Sequence, residues 1–480
     1  MNYGIIKRTL GWLLLFETVF FCVPVVTALV YREQEVYHFL FTMLGTAALG
    51  GLCLIGKPKS DKIFAKEGMV ITAASWIFLS LFGAIPLYTS RCYPTYIDAL
   101  FETVSGFTTT GASVLASDVV AALPKCILIW RTFTHWIGGM GVLVFIMVFL
   151  PLCGGGRNIN IMKAESPGPS VGKLLPKMRS TARVLYLIYA SLTALQFILL
   201  VFDMPVFDAI NAVFATAGTG GFSIKADGFA GYSTYTQIVV TVFMALFSIN
   251  FASYFFILRG KFKEAFSTEV RVFLTIVVSA ITLITIDLCI TDVMSIGGAI
   301  KHSAFSVSSI ISTTGFTTEN FDTWPSFSKT ILVLCMFIGA CAGSTGGGIK
   351  VSRLVIAGKG VHHETQRLLH PKRIKKITLD GKVVEHEVVR GVNNFLIAFI
   401  SIFVLSLLLI SLDGKDLITN FTAVAATINN VGPGLGVVSP AGHFGGFSIL
   451  SKIVFIFDML IGRLEIFPML LLFAPATWRK

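Results

Sequence analysis

The sequence predicts an all-α polytopic membrane protein with ten transmembrane helices: two N-terminal spans, then four tandem span–short helix–span repeats. Three observations predict it. Hydrophobic residues make up 54% of the 480 residues and charged ones only 13%, about half the charged share of an ordinary soluble domain. Apolar runs of the roughly 20 residues that cross a bilayer recur along the whole chain. Between alternate runs, a short amphipathic stretch followed by a Thr/Ser/Asn/Gly-rich turn occurs four times. This composition excludes a soluble globular domain, and 42 Phe within long apolar runs exclude a disordered chain.

Spans are expected near 9–30, 38–56, 69–88, 125–151, 184–203, 235–258, 272–292, 329–349, 391–411 and 449–475. The first follows Lys7 and Arg8 and runs from Leu10 to Tyr31. It is too long for the apolar core of a signal peptide and no small-x-small site follows, so it reads as a retained helix. The net charge of +12 would suggest nucleic acid on a soluble protein, but its distribution decides otherwise. Of the 38 Lys and Arg, 28 lie at 7–8, 57–66, 154–183, 259–271, 350–390 and 479–480, at chain ends or between apolar runs. That is the positive-inside pattern, and no nucleic-acid module accompanies it, so no nucleic-acid partner is expected. An even number of spans puts both termini on the basic, cytoplasmic side. The opposite connections carry Glu33, Glu35, Asp98, Asp118, Asp203, Asp227, Asp322 and Asp413. Cys22, Cys53, Cys289, Cys335 and Cys341 sit inside apolar runs without a CxxC pair and read as small buried hydrophobes.

The chain divides into two N-terminal helices (1–66), repeat one (67–156), repeat two (157–260), repeat three (261–360), a basic loop (361–390) and repeat four (391–480). The short stretches are Tyr96–Phe107, Phe207–Ala217, Gly298–Ile311 and Asp416–Ile428. Their turns align on Gly111, Gly221, Gly315 and Gly432, and residues 101–111 and 305–315 are alike in pattern. A helix that enters a membrane and turns back leaves irregular backbone at depth, which is tolerated only where it is buried in protein or lines a watery path. Small residues with a glycine let successive carbonyls point one way. Four such loops around a central pore make rings of oxygens that replace the hydration shell of a hard monovalent cation.

In these features the chain resembles the Trk/Ktr/HKT superfamily of potassium transporters. The two extra N-terminal spans make it similar to the TrkH-type potassium uptake proteins. The resemblance covers nearly the whole chain. It implies potassium uptake through a pore built from one chain, with carbonyls from Thr109, Thr110 and Gly111; Thr219, Gly220 and Gly221; Thr313, Thr314 and Gly315; and Asn430, Val431 and Gly432. Repeat two departs from the common form with Gly220, and repeat four with Asn430, Val431 and Pro433, so the ring is not four-fold identical.

The outgoing span of repeat three reads Gly339-Ala340-Cys341-Ala342-Gly343-Ser344-Thr345-Gly346-Gly347-Gly348-Ile349-Lys350. Three consecutive glycines should break a helix. Close packing through Gly339-xxx-Gly343 is one reading. A P-loop is excluded, since Ile349 and Lys350 follow Gly348 where Lys-Ser/Thr is needed. The other reading is an unwound segment in the pore path, and the resemblance implies a gate formed by Gly343 to Gly348 with Lys350 behind it. Arg463 sits inside the last span, where a charge costs about 2.5–3.5 kcal/mol on insertion scales. It either pairs locally with Glu465 or Asp458 or stands in the pore as a barrier; the resemblance favours the barrier.

Glu102 and Asp98 on the first short helix either draw cations or merely cap it, and Arg131, His135 and Lys301 read as snorkelling side chains. In the 350–390 loop, Ile374–Leu379, Asp380-Gly381 and Lys382–His386 read as a hairpin. Attraction to anionic lipid explains its basic charge; the resemblance implies docking of a cytosolic nucleotide-binding ring subunit (TrkA-like), a homodimer, and the bacterial inner membrane. No organic cofactor is expected, potassium being cargo. A second function class is an alternating-access transporter coupling cation or small-solute uptake to protons or sodium. The equal sidedness of all four repeats favours a pore. A membrane enzyme is disfavoured, because no Ser-His-Asp or HExxH constellation is present.

Overall fold

A computed structural model describes residues 1–56, 63–141, 178–370 and 376–479. The basic positions 57–62, most of 154–183, residues 374–375 of the expected hairpin, and Lys480 lie outside the described residues.

Apart from one short two-stranded hairpin, the regular structure of the described chain is helical. α1 (Tyr3–Phe20) and α2 (Cys22–Tyr31) form the first span, broken slightly at Phe21 just before Pro24. α3 (Val36–Leu54) packs on α1 where Gly11 faces Gly50 and Cys53 so closely that a Cβ on Gly11 would collide. Small residues give such membrane helices their close approach.

Each repeat then has an incoming helix, a short helix and an outgoing helix. In repeat one these are α4 (Ala65–Gly83) with α5 (Ile85–Thr89), α6 (Tyr96–Phe107) and, after α7 (Ser117–Ala121), α8 (Lys125–Gly139). Repeat two has α9 (Met178–Val201), α10 (Val206–Ala217), α11 (Thr234–Phe247) and α12 (Phe251–Leu258). Repeat three, after α13 (Phe262–Ala265), has α14 (Thr268–Ile290), α15 (Ile296–Ile311), α16 (Ser326–Ile338) and α17 (Val351–Leu369). Repeat four has α18 (His386–Ile410), α19 (Leu417–Ile428), α20 (Ile449–Arg463) and α21 (Phe467–Phe473).

The expected count of ten continuous spans is not what the helices show. Among the described residues, six are long and apolar enough to cross a membrane, and the bent pair α11–α12 makes a seventh. The outgoing helices account for the difference, because they break. α11 and α12 meet at 92°. α16 stops where Gly339 takes a positive φ of 66°. α20 stops at Glu465 and Ile466, both at positive φ, and Pro468 opens the next helix. α8 ends at Gly139, and the chain beyond 141 is outside the described residues.

An acid caps every outgoing helix at one end of the molecule. Glu33 accepts from the Lys125 and Cys126 amides at 2.6 and 2.9 Å. Asp203 accepts from the Thr236 hydroxyl at 2.5 Å and from Ser233. Asp287 accepts from Ser328, and Asp413 from the Ser448 amide at 2.8 Å. A carboxylate there satisfies free amides and the positive end of the helix dipole. At the opposite end Tyr3 bonds the Trp478 carbonyl and Lys66 that of Ala476, so both described ends of the chain share one side. The N-terminal helices, repeat one and repeat four share one apolar cluster; repeats two and three each have their own. In the basic loop, β1 (Thr378–Leu379) pairs antiparallel with β2 (Lys382–Val383). Asp380 and Gly381 both take positive φ, the turn the Asp-Gly pair predicts.

Candidate functional site

The four short helices end alike. Thr109, Thr219, Thr313 and Asn430 each take a left-handed conformation, with φ between 55° and 60°. The next residue's amide reaches back five positions: Thr110 to Ser105, Gly220 to Ala215, Thr314 to Ser309 and Val431 to Ala426, each at 2.8 Å. This is a Schellman-type cap closed by a threonine or asparagine rather than by glycine. Left-handed backbone is costly for a β-branched residue, so three threonines there mark strain held by the surroundings. The caps turn the chain away from the helix axis, and the negative ends of four helix dipoles converge beside the turns.

The glycines that follow close a ring. Gly111, Gly221, Gly315 and Gly432 have φ of 78°, 76°, 83° and 96°. A Cβ on Gly111 would strike the carbonyl oxygen of Gly220, one on Gly221 that of Thr314, one on Gly315 that of Val431, and one on Gly432 that of Thr110. Each glycine thus stands against the carbonyl of the next repeat, and the fourth returns to the first. All four line a cavity of about 350 Å³ that also touches Ser113, Lys225, Asp227, Glu319 and His443. All twelve residues expected at the filter lie together in these turns, buried or half-buried. Their oxygens suit a hard cation held by backbone dipoles.

The two irregular repeats have physical reasons. Behind Gly220 stands the His135 ring, in the space where a threonine side chain would lie. His135 Nδ1 bonds the Gly106 carbonyl at 2.7 Å, and the Phe222 amide donates to Nε2 at 3.3 Å, so the imidazole joins repeats one and two. In repeat four, Asn430 Nδ2 donates to Thr110 Oγ1 and to the Met459 carbonyl, both at 2.9 Å, joining repeats four and one.

Arg131 and His135, expected to snorkel, are buried, and Glu102 and Asp98, expected either to draw cations or to cap the first short helix, are held in buried ion pairs. Arg131 does not snorkel. It is buried and bonds Glu102 Oε1 through Nε at 2.9 Å and Nη2 at 2.6 Å, and its guanidinium lies 4.1 Å from the Phe222 ring centre. Glu102 also accepts from the Ser113 hydroxyl and the Val114 amide. Asp98 pairs with buried Lys452 at 2.7 Å, tying repeat one to repeat four. The one available signal was an ionisable residue inside an apolar run.

Beneath the ring, residues 339–350 form an irregular loop, with Gly339, Gly343, Gly348 and Lys350 at positive φ. It touches the ring directly: the Gly347 amide donates to Thr313 Oγ1 at 2.7 Å. Gly346 lies so close to the Ser312 carbonyl, and Gly347 to that of Asn429, that a Cβ on either would collide. Cys341 N bonds the Ser248 carbonyl, Phe251 N that of Gly343, and Thr345 Oγ1 that of Phe247, so the loop rests in the bend of repeat two. Ser344 Oγ bonds the Cys341 carbonyl, and buried Lys350 reaches back to that of Gly346.

Arg463 spans this space. Its guanidinium donates to the Thr345 carbonyl at 2.7 Å and to those of Gly138 and Gly139 at 2.5 and 2.8 Å. Its local alternatives are engaged elsewhere: Glu465 with Arg353 and Asp458 with Ser406. One cation on repeat four therefore joins the loop of repeat three to the end of α8 in repeat one.

The family model described as TrkH, a cation transport protein, matches residues 36–480. The chain belongs to the TrkH family. It is 34% identical to the Trk system potassium uptake protein TrkH of Salmonella typhimurium and 33% identical to TrkG of Escherichia coli, covering 100% and 99% of each chain. Among solved structures, the potassium transporter TrkH of Vibrio parahaemolyticus matches with a TM-score of 0.89 at 33% identity, over 100% of both chains. The TrkH fold, a multi-pass helical membrane protein, is therefore that of this chain.

Proposed function

We propose that this chain takes up potassium across the bacterial inner membrane, with both termini cytoplasmic. The ion is coordinated by backbone carbonyls of Thr109, Thr110 and Gly111, Thr219, Gly220 and Gly221, Thr313, Thr314 and Gly315, and Asn430, Val431 and Gly432. The observation that carries this reading is the closed ring, in which each glycine abuts a carbonyl of the next repeat. Potassium as the ion rests on the names of the relatives.

The loop from Gly343 to Gly348, with Lys350, acts as the gate. Arg463 acts as the barrier below the filter, since its charge opposes a passing cation and its bonds to the Thr345, Gly138 and Gly139 carbonyls tie the loop to the end of α8. A homodimer and a TrkA-like nucleotide-binding ring at the cytoplasmic face follow from the family resemblance.

The test is rubidium uptake into liposomes holding the purified chain, with and without sodium. Native protein is expected to pass rubidium and potassium and to discriminate against sodium. Gly111→Ser and Gly315→Ser should each cut that discrimination about tenfold or more, since a left-handed glycine site costs any other residue about 1–2 kcal/mol before the collision with the neighbouring carbonyl is added. Unchanged selectivity in both variants would refute the filter assignment.

A further inference from the structure

The gate loop is fastened at both flanks by one side chain that belongs to neither the ring nor the loop. Glu269, buried on the first turn of α14, accepts the Ala342 amide at 2.7 Å and the Ser352 amide at 3.1 Å through the same oxygen. Ala342 lies just before the Gly343–Gly348 segment and Ser352 in the first turn of α17, so one carboxylate holds both sides of that segment. Bonds to a charged acceptor are about twice as strong as neutral ones.

The residue before it, Thr268, is held from outside the membrane segment. Asp380, at the turn of the cytoplasmic hairpin, accepts from the Thr268 amide and from its hydroxyl, both at 2.7 Å. Lys359 of α17 bonds the Thr378 carbonyl of β1 at 2.7 Å, so the hairpin is gripped by the helix entering the repeat and by the helix leaving the gate. Asp380 and Gly381 are exposed at the tip, and the Asp-Gly turn fixes where the carboxylate points.

We propose that Glu269 is the positioning residue that keeps the gate loop closed, and that Asp380 positions Glu269 through Thr268, making the hairpin tip the mechanical input to the gate. The inference rests on the gate reading above. Displacing the hairpin rotates or frays the first turn of α14, withdraws the Glu269 oxygen from two amides, and releases both ends of the loop at once. Two consecutive residues, Thr268 and Glu269, separate the exposed turn from the loop.

The experiment uses the full chain in liposomes and reads potassium flux, potassium-over-sodium selectivity and thermal unfolding for Glu269→Ala, Asp380→Ala, the double variant, and Arg463→Ala. Glu269→Ala should raise flux about tenfold, the equivalent of one charge-assisted contact in an equilibrium constant. Asp380→Ala should raise it severalfold, with selectivity and melting temperature near native in both. The double variant should match Glu269→Ala alone, because Asp380 acts through Glu269. Asp380→Asn keeps an acceptor at the tip and should restore flux close to native, a rescue that a purely structural role does not predict. If Arg463→Ala raises flux while Glu269→Ala and Asp380→Ala leave it unchanged or lower it, this inference is overturned and the gate stands. If none of the three moves flux in folded protein, the gate reading falls and this inference with it. Additive effects in the double variant would overturn the link between hairpin and latch. Should Glu269→Ala fold poorly, Glu269→Gln keeps the volume and one acceptor, and a smaller flux increase with native melting is expected; no increase overturns the latch.

Discussion

The ring of four turns and the loop beneath it are built on opposite principles. The ring is repetitive: four short helices, four left-handed caps, four glycines, each abutting the next repeat. The loop belongs to repeat three alone and is held by unlike groups from every side: Thr313 above, Phe247 and Ser248 from repeat two, Glu269 below, and Arg463 from repeat four. A repeated contact cannot yield at one place without disturbing its neighbours, which suits a part that must keep its dimensions. A single segment with mixed contacts can move while the ring stays, which suits a part that must change. The broken outgoing helices fit the same division. The helices end after similar lengths, and among the breaks that the described residues show, those of repeats two, three and four, the third carries the long glycine-rich insertion.

The ring also has braces, and removing one gives the largest expected effect. Arg131→Ala leaves the Glu102 carboxylate buried without its counter-ion behind the turns of repeats one and two, with Ser113 and Val114 still donating to it. Breaking a buried pair from one side costs about 3–5 kcal/mol, so the melting temperature in detergent should drop markedly and selectivity should fall with it. Replacing both partners by apolar residues of similar volume should recover most of the stability. Lost flux control with preserved selectivity would contradict the division, since it would put the brace in service of the gate.

Arg463→Ala tests the other half. It removes three carbonyl contacts and a charge from the space below the ring, with bonds from charged donors worth about 1.5–3 kcal/mol each. Flux should rise about tenfold or more while the potassium-to-sodium ratio stays near native. A fall in flux with the fold intact would sink the barrier, and a changed ratio would mean that ring and loop are not separable.

Much of the ring was legible from the chain, because its signals are local. Apolar length sets a span, a short amphipathic run followed by a glycine turn sets a re-entrant helix, and Tyr96–Phe107 emerged with the bounds expected. The departure at Gly220 was visible, but its cause was not: His135 lies 85 positions earlier and reaches the site only through folding. The Arg131–Glu102 and Lys452–Asp98 pairs were missed for the same reason, since long-range pairing leaves no spacing signature. The break at Glu465–Ile466 carries no glycine and so looked like continuous helix.

A hydrogen bond from the Gly347 amide to Thr313 Oγ1 joins the two regions. Thr313→Val keeps the shape and removes the acceptor. A single neutral hydrogen bond is worth about 0.5–1.5 kcal/mol, so a severalfold rise in flux is expected, smaller than for Arg463→Ala. If selectivity moves by as much as flux, the two regions work as one body.

The smallest effect is expected where the four repeats agree and the ion path is distant. Bonds from Ser233 and Thr236 hold the Asp203 carboxyl below the ordinary carboxylate range. A depressed value in the folded state means that the charge stabilises above the unfolded value, near pH 4, and that this contribution fades as pH falls through the folded one. Asp203→Asn should therefore lower the melting temperature slightly at pH 7, and the gap from native protein should close under strongly acid conditions. Because the cap sits at the N-terminal end of α11, the end away from the loop, flux and selectivity should be native at neutral pH. A change in selectivity would show that the acid caps transmit to the ring, and the ring would then be only as rigid as the helix ends that suspend it.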